Sequence, residues 1–318
     1  MPRIEPSVMQ IPFVVPEGDS YIDLALALSI VNRRGYNQES MKYAVAKFEF
    51  LNSGLGNITV GKLPETWVYE QAYRKSLVLY NEMNDQVLDT EPDIQGRYAE
   101  FKIAMNPDML AQTIQTAANP IGRILTPNLG AGAWTSASYD ETGLIRANWD
   151  YSTLEIPNDP TSGVTTEYGL FALGASTPTA KGLVEGYALS RSRPQTQDPN
   201  TPITPGWMND LFDVGEQLEE IREDLEADND RPPYAVVPHG SPGNMYVGGG
   251  EEFANATGIP QVHGFCNFTT TTVSQKNSIA GGVFNNGLIY FSNDSSATAL
   301  LLLHLVPGTH RGYLAEEF

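Results

Sequence analysis

Four histidines (His239, His263, His304 and His310) and one cysteine (Cys266) are the residues of this chain best suited to metal binding or nucleophilic chemistry. Their spacing supports neither. No pair of histidines stands in an H-E-x-x-H or H-x-H arrangement, which would put two imidazoles on one metal. A lone cysteine makes no zinc site and no internal disulfide, and in HGFCNF its neighbours are apolar or small, so Cys266 reads as a buried, inert thiol. No G-x-S-x-G elbow marks a nucleophilic serine. The stretch GSPGNMYVGGGEE (240–252) is glycine-rich but lacks the Lys-Ser/Thr of a phosphate loop, and reads as a plain loop. Asp228, Asp230, Glu251 and Glu252 offer oxygens to a hard cation, without the spacing of an EF-hand. Carboxylate pairs fit for glycoside hydrolysis are too numerous in so acidic a chain for any to stand out. We therefore expect no catalytic residue, no metal and no cofactor.

Two groups of residues invite a binding role instead. Arg33-Arg34, Arg74-Lys75, and Arg191 with Arg193 are small basic pairs; they suit ordinary salt bridging or a weak contact with packaged nucleic acid, for which Arg33 and Arg34 are the candidates. The closing run LLLLHLVPGTHRGYLAEEF holds the others. Its leucines do not alternate with polar residues, which predicts a strand buried on both faces, with His304 a core or interface imidazole. Beyond Pro307-Gly308, His310, Arg311 and Tyr313 are candidates for a contact between subunits, so that deleting 309–318 is expected to spare folding and impair assembly.

The charge of the whole chain limits its partners. Acids outnumber bases 38 to 19, a formal charge of −19, which disfavours any large face made for phosphate backbones or anionic membrane. Residues 210 to 230 hold ten acids against the single base Arg222, and so supply −9 of that charge. MPRIEPSVMQIPF has prolines where a signal peptide needs an apolar core, and no apolar run approaches a membrane span.

Elements that must position these residues are mostly strands. With 29 glycines and 22 prolines scattered without period, the chain is expected to turn often. Strands are predicted over 21–30, 44–50 and 57–63 (the last two as a hairpin about NSGLG), 99–105, 144–156, 166–175, 182–191, 259–273, 281–291 and 297–306. Helices are predicted after Pro64, after Asn106-Pro107, and over about 205–230, where an apolar stripe at spacings of three and four runs through the acidic segment. That last helix belongs to an expected surface insertion, 192–258. The fold class is all-β, two packed antiparallel sheets of about eight strands with inserted helices. A double domain divided near 160 would leave each half short of strands.

YIDLALALSIVNRRGYNQ (21–38), KLPETWVYEQAYRKSLVLYNEMN (62–84), EFKI (100–103) and LVPGTHRGYL (305–314) resemble capsid proteins of small circular single-stranded DNA viruses from environmental samples. The resemblance follows order and spacing along nearly the whole chain. It implies a single jelly-roll domain over 1–318, a non-enzymatic subunit that self-assembles into the icosahedral shell of a virion, with no catalytic residues to carry over. The chain departs from many such capsids in lacking an Arg-rich arm at its start, so its contact with the genome is expected to be weak. The alternatives are a carbohydrate-binding or glycan-cleaving β-sandwich, with exposed Trp134 and Trp149 stacking on sugars, and a viral spike or adhesion module.

Overall fold

The computed structural model describes residues 7–90, 100–112, 123–128, 149, 151–157, 165–189, 258, 260–270 and 275–317. In chain order its elements are β1 (Gln10–Val15), β2 (Gly18–Asp23), α1 (Leu24–Asn32), β3 (Met41–Leu51), β4 (Gly56–Lys62), α2 (Trp67–Thr90), α3 (Pro107–Ala111), β5 (Thr153–Pro157), β6 (Thr165–Phe171), β7 (Ala180–Gly182) and α4 (Leu183–Leu189). The series closes with β8 (Gln261–Phe268), β9 (Lys276–Asn285), β10 (Leu288–Asn293), β11 (Ala299–Leu305), β12 (Pro307–Gly308), β13 (Gly312–Tyr313) and β14 (Ala315–Glu317).

Two antiparallel sheets make an all-β sandwich. One has the order β1-β11-β3-β9, with β14 continuing along β3 past the end of β11; the other has the order β2-β10-β4-β8. Each ladder joins a strand that precedes Leu63 to one that follows Pro260. The sandwich is therefore one unit and cannot be cut near residue 160. Alternation along the strands turns Phe13, Phe48, Phe50, Phe284, Leu301 and Leu303 of one sheet toward Ile58, Val60, Phe268, Ile289 and Phe291 of the other, all of them buried. Phe48 meets Phe284 and Phe291 edge to face, at 5.6 and 6.0 Å between ring centroids, an arrangement that adds to the burial energy of the rings.

Between Leu63 and Pro260 no described residue belongs to a named strand of the two sheets, so the sequence inserted between β4 and β8 is wider than the expected 192–258. Its described part packs on the outer face of the second sheet. Tyr21 and Leu288 from that sheet share a second core with Tyr69 and Tyr73 of α2, Phe101, Ile103, Met109 and Phe171. Between β1 and β2 the segment 123–128 closes the sheet edges, with Leu125 N–H donating to the Tyr21 carbonyl at 2.7 Å and Asn128 N–H to that of Pro12 at 2.7 Å. The acidic segment 205–230 lies outside the described residues.

Several strand expectations are corrected. The predicted strand 21–30 is half a strand: β2 stops at Asp23, whose carboxylate accepts from the Leu26 N–H at 3.2 Å and so caps α1. Because Leu24 to Leu28 are buried on every side, the helix shows no polar face by which the sequence could announce it. NSGLG does not close a hairpin; it carries the chain from one sheet to the other. Of the predicted strand 99–105, the described residues 100–105 form no strand; they join their neighbours through the bridge Ala104–Phe171 and through backbone hydrogen bonds of Lys102, Ala104 and Met105 to Ser152, Leu170, Ala172 and Leu173. The described residues of the predicted strand 182–191 are the end of the short β7 and α4, and 281–291 is two strands parted by a turn at Asn286-Gly287, with φ of 54° and 68°. Strand β1 has no counterpart in the sequence reading. Finally, β11 does alternate: Ala299, Leu301, Leu303 and Leu305 are buried, while Leu300 is 42% exposed and His304 half-buried. The leucines on its second face look out of the sandwich, and a run of like residues hid the period.

Candidate functional site

The segment that carries Arg33 and Arg34 meets His310, Arg311 and Tyr313 at one corner of the molecule, while His304 lies elsewhere and Arg191 and Arg193 lie outside the described residues. α1 runs out at Arg33, which takes a left-handed conformation (φ 55°, ψ 40°) and turns the chain into RGYNQ. From the other end, β11 and β14 lie along the same side of β3, and the residues between them leave as a hairpin built on β12 and β13. Val306 and Leu314 close its neck, the Leu314 N–H donating to the Val306 carbonyl at 2.8 Å. At this approach Gly308 has no room for a side chain, since a Cβ there would stand 2.4 Å from Leu314 Cα. The tip turns through Arg311 and Gly312, both at positive φ (50° and 102°).

Aromatic rings pin the hairpin to α1. Tyr313 is 1% exposed, its ring edge-on to Tyr36 at 5.7 Å, and its hydroxyl donates to the Val8 carbonyl at 2.6 Å while accepting from Asn32 Nδ2 at 2.8 Å. Tyr36, equally buried, donates from its hydroxyl to the Arg311 carbonyl at 3.1 Å. His310 packs edge-on to Tyr36 and Tyr43 at 6.2 and 6.1 Å, with Nε2 buried and unpaired among the described residues. Burial, and then the neighbouring Arg311, push the pKa of this imidazole below its usual value, against a smaller upward pull from Glu317. The corner thus has a neutral aromatic base and a charged rim. Arg33, Arg34 and Arg311 are exposed, and Arg311 Nη1 reaches over Gly35, 3.7 Å from where a Cβ would be. Among the described residues neither Arg33 nor Arg311 has an ion-pair partner.

Guanidinium groups at such a rim present planar N–H donors suited to carboxylate or phosphate, and no nucleophile stands among them. Arginine in the left-handed region is strained relative to glycine. Replacing Arg33 by glycine is accordingly expected to raise stability by about 0.5–1 kcal/mol, read from urea unfolding. A loss of stability would mean that the side chain itself holds the turn.

The placement changes the reading of the tail. Tyr313 belongs to its own chain's core, so removing 309–318 takes a buried ring with it and is expected to destabilise the fold rather than spare it. Arg311 is the residue of the three with its side chain available to another molecule; His310 is half-buried. His304 lies on the outer face of the first sheet, its Nε2 3.7 Å from Glu49 Oε2. Lys276 and Lys47 also reach Glu49, at 2.6 and 2.9 Å, and their hydrogen bonds hold its carboxyl down at about 2. Cys266 is buried, and burial pushes its thiol up to about 11.

Compared with known proteins, the chain matches no family model, no curated protein and no solved structure.

One cluster escaped the sequence reading. Asp23, with no solvent exposure, accepts at Oδ2 from Gln38 Nε2 (3.2 Å) and Trp149 Nε1 (3.0 Å) as well as capping α1. Gln38 in turn exchanges hydrogen bonds with the Ile103 backbone at 2.6 and 3.0 Å, and its carbonyl accepts from Asn286 Nδ2 at 3.0 Å. This polar knot ties sheet, helix and insertion together where the two cores meet. It also turns Trp149 inward under Lys102, whose Nζ is 4.4 Å from the ring centroid, so this indole is no exposed platform for a sugar. Trp134 and the acids Asp228, Asp230, Glu251 and Glu252 lie outside the described residues. A single acid in the apolar run YIDLALAL was the signal available, since a carboxylate there must either cap a helix or find donors.

Proposed function

We propose that this protein is a structural subunit of a viral capsid, a jelly roll that self-assembles into a closed icosahedral shell around nucleic acid. Strand order is the observation that carries the reading. Counted along the chain, the eight sandwich strands pair first with eighth, second with seventh, third with sixth and fourth with fifth, and lie in the orders 1-8-3-6 and 2-7-4-5. A jelly roll is a long antiparallel ribbon wrapped into two sheets, and nested pairing of this kind is its signature; viral capsid domains are one of its main uses. The chain's resemblance to capsid proteins adds to it. The segments that carry that resemblance touch one another: Tyr36 meets Arg311, and Gln38 meets Ile103. A domain that carries a long insertion at one connection can vary its surface there without disturbing the sandwich.

In this reading the virion is the protein's location and its main partner is itself. Packaged nucleic acid makes a weaker contact, through Arg33, Arg34 and Arg311. Electron microscopy of the purified full chain tests it: closed particles of uniform size are expected. Protein that stays monomeric by light scattering across pH, salt and calcium conditions, with no particles on the grid, would overturn it.

A further inference from the structure

The outer edge of β8 carries the most exposed apolar residues of the described chain: Phe265 is 73% exposed and Val262 60%. Three residues apart, they would face opposite sides of a regular strand. Here they do not, because the register against β4 slips between Val60 and Gly61: Thr59 pairs with Phe265, Val60 with Gly264 and Gly61 with Val262, leaving His263 as the extra residue of a bulge. That bulge is held from inside. The His263 ring packs edge-on to Phe284 and Phe48 at 5.2 and 6.1 Å, and its Nε2 donates to the Ala280 carbonyl at 2.9 Å. Glycines make the space for it, since a Cβ on Gly282 would stand 2.6 Å from His263 Cε1 and one on Gly264 2.6 Å from Ile279. Buried Cys266 and Phe268 anchor the rest of the strand. A set of inward contacts thus fixes two apolar side chains outward, on the same face.

At one end of this edge the Asn267 carbonyl accepts from Asn277 Nδ2 of β9 at 3.2 Å. β8 ends its sheet, and no strand pairs with its far side among the described residues. Edge strands are usually guarded by charge or proline. Here, from Phe253 to Gln275, the sequence contains no Asp, Glu, Lys or Arg at all.

We propose that the β8 edge, with Val262 and Phe265, is a contact surface for a second copy of this chain, whose own β8 lies antiparallel beside it. The occupant follows from charge. Copies carrying −19 repel one another except where the surface is neutral, and this is a long neutral stretch in an acidic chain. A nucleic acid would find no cation on the strand, and a basic partner no acid. Antiparallel pairing of an edge with its own copy about a two-fold axis is self-complementary, joining outward backbone N–H and C=O groups of the two strands while Phe265 and Val262 meet their counterparts. The inference rests on the self-association in the proposed function and is independent of shell geometry.

The test compares the wild-type full chain with F265D, V262D and F265L by light scattering after size exclusion and by electron microscopy, with circular dichroism and thermal unfolding as controls. Because both side chains are exposed, F265D and V262D are expected to fold as the wild type does. Each should weaken self-association by about tenfold or more, while F265L retains it. If wild type forms particles and both aspartate variants form them equally well, the β8 contact is wrong and the capsid reading stands. If wild type forms only dimers that the aspartates break, the contact stands and the shell falls. A monomeric wild type overturns both.

Discussion

Replacing Tyr313 by alanine should cost the protein about 3–5 kcal/mol of stability, the range for truncating a buried aromatic ring. Two contributions add. The ring fills space beside Tyr36 in the first core, and the hydroxyl satisfies both the Val8 carbonyl and the Asn32 amide. Tyr313→Phe separates them, keeping the ring and losing about 1–2 kcal/mol for the hydrogen bonds alone. Urea unfolding of the two variants beside the wild type measures both losses. Near-wild-type stability in the alanine variant would show that the hairpin is an appendage, as the sequence alone suggested, and would restore the 309–318 deletion as a clean test of assembly.

Acid is expected to stabilise the protein through Asp23. Burial raises the pKa of this carboxyl from 3.8 to about 6, against the opposing pull of the Trp149 and Leu26 hydrogen bonds and of Lys102. A folded-state pKa above the unfolded one means that the native protein holds the proton more tightly. The contribution is therefore fully favourable below pH 3.8 and is lost as pH rises through about 6, a difference on the order of 3 kcal/mol. Glu49 has the opposite sign, but its contribution is lost only as pH falls from 4.5 toward 2, below the range of interest. His310, with its depressed pKa, opposes Asp23 as pH falls below 6.5, so the quantity to measure is the difference between wild type and D23N. Asparagine keeps the helix cap, resembles the protonated acid and cannot ionise. Thermal midpoints taken between pH 5 and 7.5 should rise toward acid more steeply for wild type than for D23N. Parallel curves would show that Asp23 carries no proton-linked energy.

How much of this was legible in the sequence depends on which neighbour each residue answers to. β3 and β4 were found because their two faces see different surroundings, core and solvent, and the period-two pattern records that difference. α2 was found for the matching reason, one face on the second core. α1 was missed because insertion, sheet and hairpin surround its first half, leaving no periodicity to read. The hairpin loop at NSGLG failed differently: its residues do allow a tight turn, but whether two strands pair or part into separate sheets is decided by β9 and β10, more than 200 residues later. At the candidate corner the arginines and the THRGYL run were visible, yet nothing local says that Tyr313 turns inward. Its partners Val8, Asn32 and Tyr36 come from the far end of the chain.

That nesting of early strands with late ones governs how the molecule can be made. The four strands up to Lys62 pair with none of their own number in the two sheets; each waits for a partner beyond Pro260, and Gln10 for His304. A nascent chain released before its last fifth has been synthesised therefore holds apolar strands and no sheet to put them in. Closing such distant pairs makes folding slow and leaves the incomplete chain prone to aggregation. The same arrangement acts as a quality check during synthesis, since a prematurely terminated chain lacks the sandwich itself and offers no folded surface by which a defective copy could pass for a complete one.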